Sequence, residues 1–191
     1  MVKPDTDIQR IDLRGHPLKA IGDLNNLNKN LLGIMCSQCC PGDLVLKGFD
    51  AAKQIRDQGI TVISGFHSSM ERDIFEILLR GSQPIIHCLA KAIETYRIPK
   101  KLLPRVESGQ LTFIAPDFPI AEKRITKNTS GMCNKLVMDI CDQVLIIHAH
   151  EGRNLERACL RCLPDQKKIY ALPSVRNEHL FEKGVLHWEI E

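Results

Sequence analysis

Short apolar runs alternate with amphipathic stretches along most of this chain, and that alternation limits what it can fold into. The runs are Leu31–Cys36, Ile60–Ser64, Pro84–Leu89, Leu111–Ala115, Val144–Ala149 and Lys168–Leu172. Several are apolar at nearly every position, as strands buried on both faces must be. Between them, Asp43–Gln58 places Leu44, Leu46, Phe49, Ala52 and Ile55 near one helical face. Ser68–Arg80 does the same with Met70, Ile74, Ile77 and Leu78, and Thr129–Cys141 and Arg153–Leu163 behave alike. Strands alternating with helices imply right-handed βαβ units. The expected class is therefore α/β: a Rossmann-like open, mostly parallel sheet with helices on both faces.

Residues 1–30 read as an N-terminal extension, with the Asn-rich Asp23–Asn30 as a linker or turn. Residues 31–173 read as the Rossmann-like domain. Residues 174–191 read as a tail, in which Val185–Ile190 forms an edge strand or a flap on the core. No run approaches the ~18 apolar residues of a membrane span, and the polar start lacks a signal-peptide centre. The expected compartment is the cytoplasm, with the eight cysteines mostly as thiols.

In open α/β sheets ligands sit beyond the carboxyl ends of the strands, so the turns there are where function is sought. The first reads Met35-Cys36-Ser37-Gln38-Cys39-Cys40-Pro41-Gly42-Asp43. Ser37, the backbone amides and a helix N-terminus can hold an anion there. The bland alternative is a connection capped by Asp43. Neither GxGxxG nor GxxxxGK[ST] is present, which disfavours a dinucleotide or P-loop site. In the second turn Gly65 permits close backbone approach, Ser68 or Ser69 can cap the next helix, and His67 can face a ligand or simply be a satisfied residue.

The crossover from Glu122 to Lys135 carries Lys123, Arg124 and Lys127, either as phosphate contacts or as a solvated helix face. The turn His148-Ala149-His150-Glu151-Gly152-Arg153 puts both histidines on one strand face and Glu151 on the other. It offers no third metal ligand. Two CxxC pairs, Cys36/Cys39 with Cys40 and Cys159/Cys162, leave open a zinc site or redox-active thiols near a helix N-terminus. Cys88, Cys133 and Cys141 read as core. No cofactor, resident metal or catalytic residue is assigned. Net charge, 26 basic against 23 acidic residues, announces no nucleic-acid binder by itself. At 5% aromatic residues, the chain is poorly supplied for stacking many bases.

The order of these segments resembles the DNA-processing protein A family (DprA, also called Smf), within the wider SLOG group. Gly33-Ile34-Met35-Cys36-Ser37-Gln38 is similar to its strand ending in Gly-Ser-Arg. Gly59–Gly65 resembles its strand ending in Ser-Gly, and Ser69-Met70-Glu71 stands where the family has Gly-Ile-Asp. Tyr96–Pro99, Leu102-Leu103 and Glu107–Gly109 resemble its Tyr-Pro segment and following helix. Cys133-Asn134-Lys135-Leu136 resembles Arg-Asn-Arg-Ile, Gly152–Ala158 the Ser-Gly-Ser-Leu-x-Thr-Ala turn, and Ile169–Pro173 the final strand.

The resemblance spans about Leu31–Ser174. It implies a pocket for single-stranded DNA around Ser37, Gln38, Ser64, Gly65, Asn134, Lys135, Gly152 and Arg153. It further implies help in loading a RecA-type recombinase, and a homodimer. Gln38 and Cys133 replace two of the family's arginines, and Lys123, Arg124 and Lys127 are placed to compensate. The chain has no room for the family's winged-helix domain. The alternative function is a SLOG-type binder or enzyme for a nucleotide or other phosphorylated small molecule, although the Pro-Gly-Gly-x-Gly-Thr signature of the related nucleoside-monophosphate hydrolases is missing.

Overall fold

A computed structural model describes residues 7–164 and 167–189. Among them one mixed sheet of nine strands forms the centre of the molecule. The strands are β1 (Gln9–Leu13), β2 (His16–Ile21), β3 (Leu31–Cys36), β4 (Thr61–Ser64), β5 (Ile85–Cys88), β6 (Leu111–Pro116), β7 (Gln143–His148), β8 (Lys168–Ala171) and β9 (Leu186–His187). Their order across the sheet is β1-β2-β6-β5-β4-β3-β7-β8-β9. All pairings from β6 to β9 are parallel. Each expected apolar run is a strand to within a residue or two, and every residue of β3 and β4 is buried. The class expected from the alternation is the class observed.

The helices are α1 (Gly42–Asp57), α2 (Ser69–Leu78), α3 (Leu103–Glu107), α4 (Lys127–Ile140), α5 (Asn154–Cys162) and α6 (Glu178–Phe181). α1 packs on α2, and α4 packs on α5 and on the sheet. Of the apolar face read for α1, Leu44, Ala52 and Ile55 are buried, but Leu46 is 69% exposed, since it lies two residues from Leu44 and so on another side of the helix. Two close approaches set the layer spacing. Gly33 on β3 leaves room for the Cys141 sulfur and Val137 of the α4 layer, and Gly48 on α1 admits Met70 and Ile147. A Cβ at Gly33 would crowd the Cys141 sulfur, and one at Gly48 would have to displace the end of the Met70 side chain.

Two segments differ from the sequence reading. Residues 9–21, read as part of an extension, form a hairpin that adds two antiparallel strands beside β6. Its two-residue turn, Arg14-Gly15, has positive φ at both positions (55° and 80°), the geometry that matches the twist of paired strands. The supposed linker contains a 3-10 turn, Leu24–Asn28, capped by the Asp23 carboxylate and holding Asn26 and Leu27 in the core. The tail does supply an edge strand, β9, and Trp188 packs edge-on against Tyr170 at 5.5 Å. Ile190, the last residue of the expected tail strand, lies outside the described residues.

The tail is tied down by Asn177, which is fully buried. Its amide nitrogen donates to the Ile147 and Leu172 carbonyls at 3.0 and 2.9 Å. Its oxygen is therefore left to accept from His148 Nδ1 at 3.1 Å, which assigns the proton of that imidazole to Nδ1. We expect Asn177→Ala to destabilise the fold by about 2–3 kcal/mol, the cost of buried polar groups left unpaired. Denaturant titration monitored by Trp188 fluorescence checks this.

Candidate functional site

β3 lies between β4 and β7, so the chain leaves the two middle strands in opposite directions and opens a crevice beyond Cys36 and His148. The pairing of β3 with β7 slips by one residue between Met35 and Cys36. Such a bulge bends the strand and re-aims its side chains. Past it, Ser37 N donates to the His148 carbonyl at 2.8 Å and His150 N donates to Ser37 Oγ at 3.1 Å. The first and fifth turns are thus bonded together. The amides of Gln38 and Cys39 donate to no group among the described residues.

Asp43 does not cap α1. Pro41 occupies the cap position without a side-chain bond, and the Asp43 carboxylate instead accepts from Ser174 Oγ at 2.7 Å, which lowers its pKa. Across the crevice, Gly152 has φ +69°, a conformation that suits glycine. Its N–H donates to Glu156 at 2.5 Å, and Arg153 beside it is exposed at the start of α5. His148 and His150 share a face as the alternation predicts, with Nε2 and Nδ1 3.4 Å apart.

The second turn is held by Glu71. Ser68 caps α2, and Glu71 completes the capping box. Glu71 is only 3% exposed. One oxygen accepts from His67 N at 2.6 Å and Ser68 N at 3.1 Å, the other from Cys36 N at 2.7 Å. Burial pushes its pKa up, and the three amides oppose that. This carboxylate joins the end of β3 to the end of β4. Ser64 is buried, and its hydroxyl accepts from Phe66 N at 3.2 Å. Its role here is to hold Phe66 at φ 50°.

Between these turns lies a cleft of about 330 Å³. Gln38 and Gly65 line it with His67, His87, Tyr96, Arg72 and Lys91. The loop 117–126 closes one side, where Glu122 O accepts from Ala92 N at 2.8 Å and the exposed Ile125 forms part of the rim. Rings pack at an angle through the wall: Phe66–Phe75 tilted at 4.6 Å, Phe66–His87 edge-on at 5.1 Å and Tyr96–Phe113 tilted at 5.0 Å. Lys91 Nζ stands 5.0 Å from the Tyr96 ring centre. Desolvation lowers the pKa of His67 to about 4, with Arg72 adding to it, and that of His87 to about 3, with His67 adding to it. Both imidazoles are neutral at pH 7. Arg72 and Lys91 supply the charge of the lining, and no acid among the described residues lines it. Two nearby acids, Glu94 and Asp117, are bonded by the buried Lys19 at 2.7 and 2.6 Å.

The other expected residues lie elsewhere. Lys135 sits two helical turns along α4, 3.9 Å from Asp139, and lines a separate depression with His16 and Pro116. Asn134, its neighbour, is half-buried. Cys133, read opposite a family arginine, is fully buried and its thiol donates to Leu89 O at 3.1 Å. Among the described residues no group of three or more His, Cys, Asp and Glu is placed to hold a metal. The Cys36 and Cys159 pairs stand on separate elements, with Cys159 wholly buried in α5. The sequence reading missed Arg72, Lys91 and His87 as lining groups. Lys91 follows β5 by three residues, at one of the strand ends where ligands are sought, so its position was the available signal.

Two outcomes follow from this packing. Glu71→Gln replaces one accepting oxygen with a donor facing amides, and should cost about 1–3 kcal/mol in denaturant unfolding. The neutral histidines also set a pH dependence. The unfolded chain takes up their protons near pH 6.5, whereas the folded chain does not until about 4 and 3. The unfolded state then binds more protons in this window. Stability should fall as pH drops from 6.5 toward 4, by about 1.4 kcal/mol per pH unit for each histidine. His87→Phe should remove one histidine's share of that slope.

No protein-family model matches the chain, and no curated protein matches it in sequence. Solved structures do. DNA processing protein A from Streptococcus pneumoniae superposes with a TM-score of 0.73 at 14% identity, over 90% of this chain and 62% of that one. This chain therefore spans less than two thirds of the streptococcal protein. The Helicobacter pylori DNA processing protein A, described for its unique mode of single-stranded DNA binding, superposes at 0.71 with 16% identity, over 97% and 92%. The molybdenum cofactor binding protein of the phototrophic bacterium Rippkaea orientalis follows at 0.57 and 13%, over 84% and 90%. The chain accordingly shares its Rossmann-like α/β fold with these DNA processing protein A structures.

Proposed function

We propose that this protein binds single-stranded DNA through phosphate contacts along the carboxyl edge of its sheet. The observation that carries the reading is the lining of the cleft. Both of its charged side chains, Arg72 and Lys91, are positive, no acid joins them, and Gln38 extends the same surface to the free amides of the first turn. A strand crossing from Lys91 to Arg153 would meet cations and bare N–H groups in succession, as phosphates require. Exposed Lys123, Arg124 and Lys127, which make no ion pair among the described residues, flank that path. Tyr96 and the neutral histidines offer apolar faces to bases. The Helicobacter pylori neighbour supports the same choice of ligand. Loading of a RecA-type recombinase, a homodimer and a cytoplasmic location belong to the same proposal.

A second reading rests on the cleft's size. About 330 Å³ lies at the lower end of small-ligand pockets. A nucleotide or another phosphorylated heterocycle would fill it, and the molybdenum cofactor binding neighbour keeps that option open.

Titration with oligo-dT at two salt concentrations tests the first reading. Affinity should fall steeply with salt, and Arg72→Glu or Lys91→Glu should each flatten the log–log slope by about 0.7, the share of one phosphate contact. Lys135→Glu is the contrast. Loss confined to the first two variants puts the strand in the cleft, and equal loss in all three extends it down α4. Absence of binding at low salt, with a thermal shift on adding a mononucleotide, selects the second reading.

A further inference from the structure

A chain of hydrogen bonds runs out along the end of β7, apart from the cleft. It starts at Asn177, which is fully buried and whose amide nitrogen is committed to the Ile147 and Leu172 carbonyls. The Asn177 oxygen faces His148 Nδ1 at 3.1 Å, so Nδ1 holds a proton and Nε2 of the neutral ring is a bare lone pair. His148 is 4% exposed. Desolvation lowers its pKa, with His150 and His179 adding to it, while the Asn177 bond and Asp43 oppose it. The ring is neutral at pH 7. Its Nε2 lies 3.4 Å from His150 Nδ1, with the two rings edge-on and 4.6 Å between centres. An acceptor on one side requires a donor on the other, so His150 carries a proton on Nδ1.

The consequence lies at the other nitrogen of His150. This residue is exposed, and its main-chain N–H donates to Ser37 Oγ at 3.1 Å. Next in the chain after Ser37 are the Gln38 and Cys39 amides, which have no partner among the described residues. Nε2 of His150 points away from His148 and is open to solvent beside that turn. With Nδ1 already protonated, a neutral His150 shows a lone pair there. A phosphate oxygen is itself an acceptor, and it can bond to Nε2 only once that nitrogen takes a second proton. We propose that His150 is a phosphate-binding side chain of this edge that works only as an imidazolium, so that a phosphate seated beyond β3 and β7 is bound together with one proton. This rests on the reading of the edge as a phosphate-binding one. It adds to that edge a cation that the lining of the cleft does not contain. The titratable groups of the surrounding elements are Asp43 on α1, the Cys39 and Cys40 thiols of the first turn, His179 on α6, and Glu151 and Arg153 next to His150 in the chain. Asp43 is bonded by Ser174 at 2.7 Å, and Glu156 holds Lys183 at 2.6 Å and stands 3.8 Å from His179. His150 makes no ion pair among the described residues.

Imidazole nitrogen NMR of histidine-labelled protein checks the proton placement with no ligand present. At pH 8 both His148 and His150 should show a protonated Nδ1 and a bare Nε2. A His150 ring that carries its proton on Nε2 instead overturns the proposal. Oligo-dT titrations at pH 6, 7 and 8, at constant salt, read the linkage. Neither the phosphodiesters nor thymine titrate in this range, and His67 and His87 stay neutral across it. Affinity should fall with rising pH by up to about tenfold per pH unit, the limit for one linked proton. His150→Gln, at an exposed position, should flatten that slope. A wild-type affinity that does not change with pH, or a slope that persists in His150→Gln, overturns the proposal and leaves strand binding intact. Absence of strand binding at every pH sinks the strand reading instead. Sulfate, whose charge is constant over this range, then serves as the probe. It should move the His150 Nε2 signal toward the protonated form at pH 7, and an unmoved signal overturns the proposal.

Discussion

One buried carboxylate holds the business edge of this molecule together. Glu71 lies on α2, yet it accepts hydrogen bonds from the end of β3 and from the turn after β4. A strand end in a parallel sheet normally leaves its last amides to solvent or ligand. Here three are gathered onto one side chain, which fixes the spacing between the Ser37 turn and the Gly65 turn before any ligand arrives. Preorganisation of that kind reduces the ordering cost of binding. It also explains why a charged residue is tolerated at a site with almost no exposure, since three donors offset much of what desolvation takes away.

The electrostatics of the rim depend on a second buried group. Lys19, on β2, gathers Glu94 and Asp117 from the loops after β5 and β6. Without it, two negative charges would stand near the cleft that Arg72 and Lys91 line. The hairpin at the N-terminal end therefore does more than widen the sheet. It delivers a cation that offsets one of the two negative charges on the loops after β5 and β6, so the balance of 26 basic and 23 acidic residues across the chain says little about the sign of the charge at this rim.

The parallel core was legible because burial on both faces writes itself into uninterrupted apolar runs, as in Leu31–Cys36 and Val144–Ala149. The hairpin was not. β1 is a mostly exposed edge, its residues alternate weakly, and the Arg14-Gly15 turn lacks the Asn-Gly signature. The turns around Ser37 and Gly65 could be found because a strand end is a local feature. The partners of Lys19 and the bond from Glu71 to Cys36 could not, since pairs separated by 35 to 98 residues meet only through the fold. The same limit applies to Lys135. Its place in the Asn134-Lys135 motif is visible in sequence, but its distance from the cleft follows from the pitch of α4, which carries it away from the carboxyl edge.

Gln38 and Cys133 bear on how such a rim would hold a phosphate. An arginine at either place would add a full charge and a forked donor. Cys133 cannot be replaced by one without opening the core, because its sulfur is sealed against the end of β5. At Gln38 the neutral amide keeps two donors, and beside it stand the main-chain N–H groups of Gln38 and Cys39, which have no partner among the described residues. Dipolar donors bind a phosphate oxygen mainly by geometry, whereas cations bind it largely by displacing counterions. A rim that trades arginine for aligned amides therefore gives up part of the long-range, salt-sensitive attraction. On the proposed reading, what it would retain is short-range selectivity for an anion seated at the end of β3.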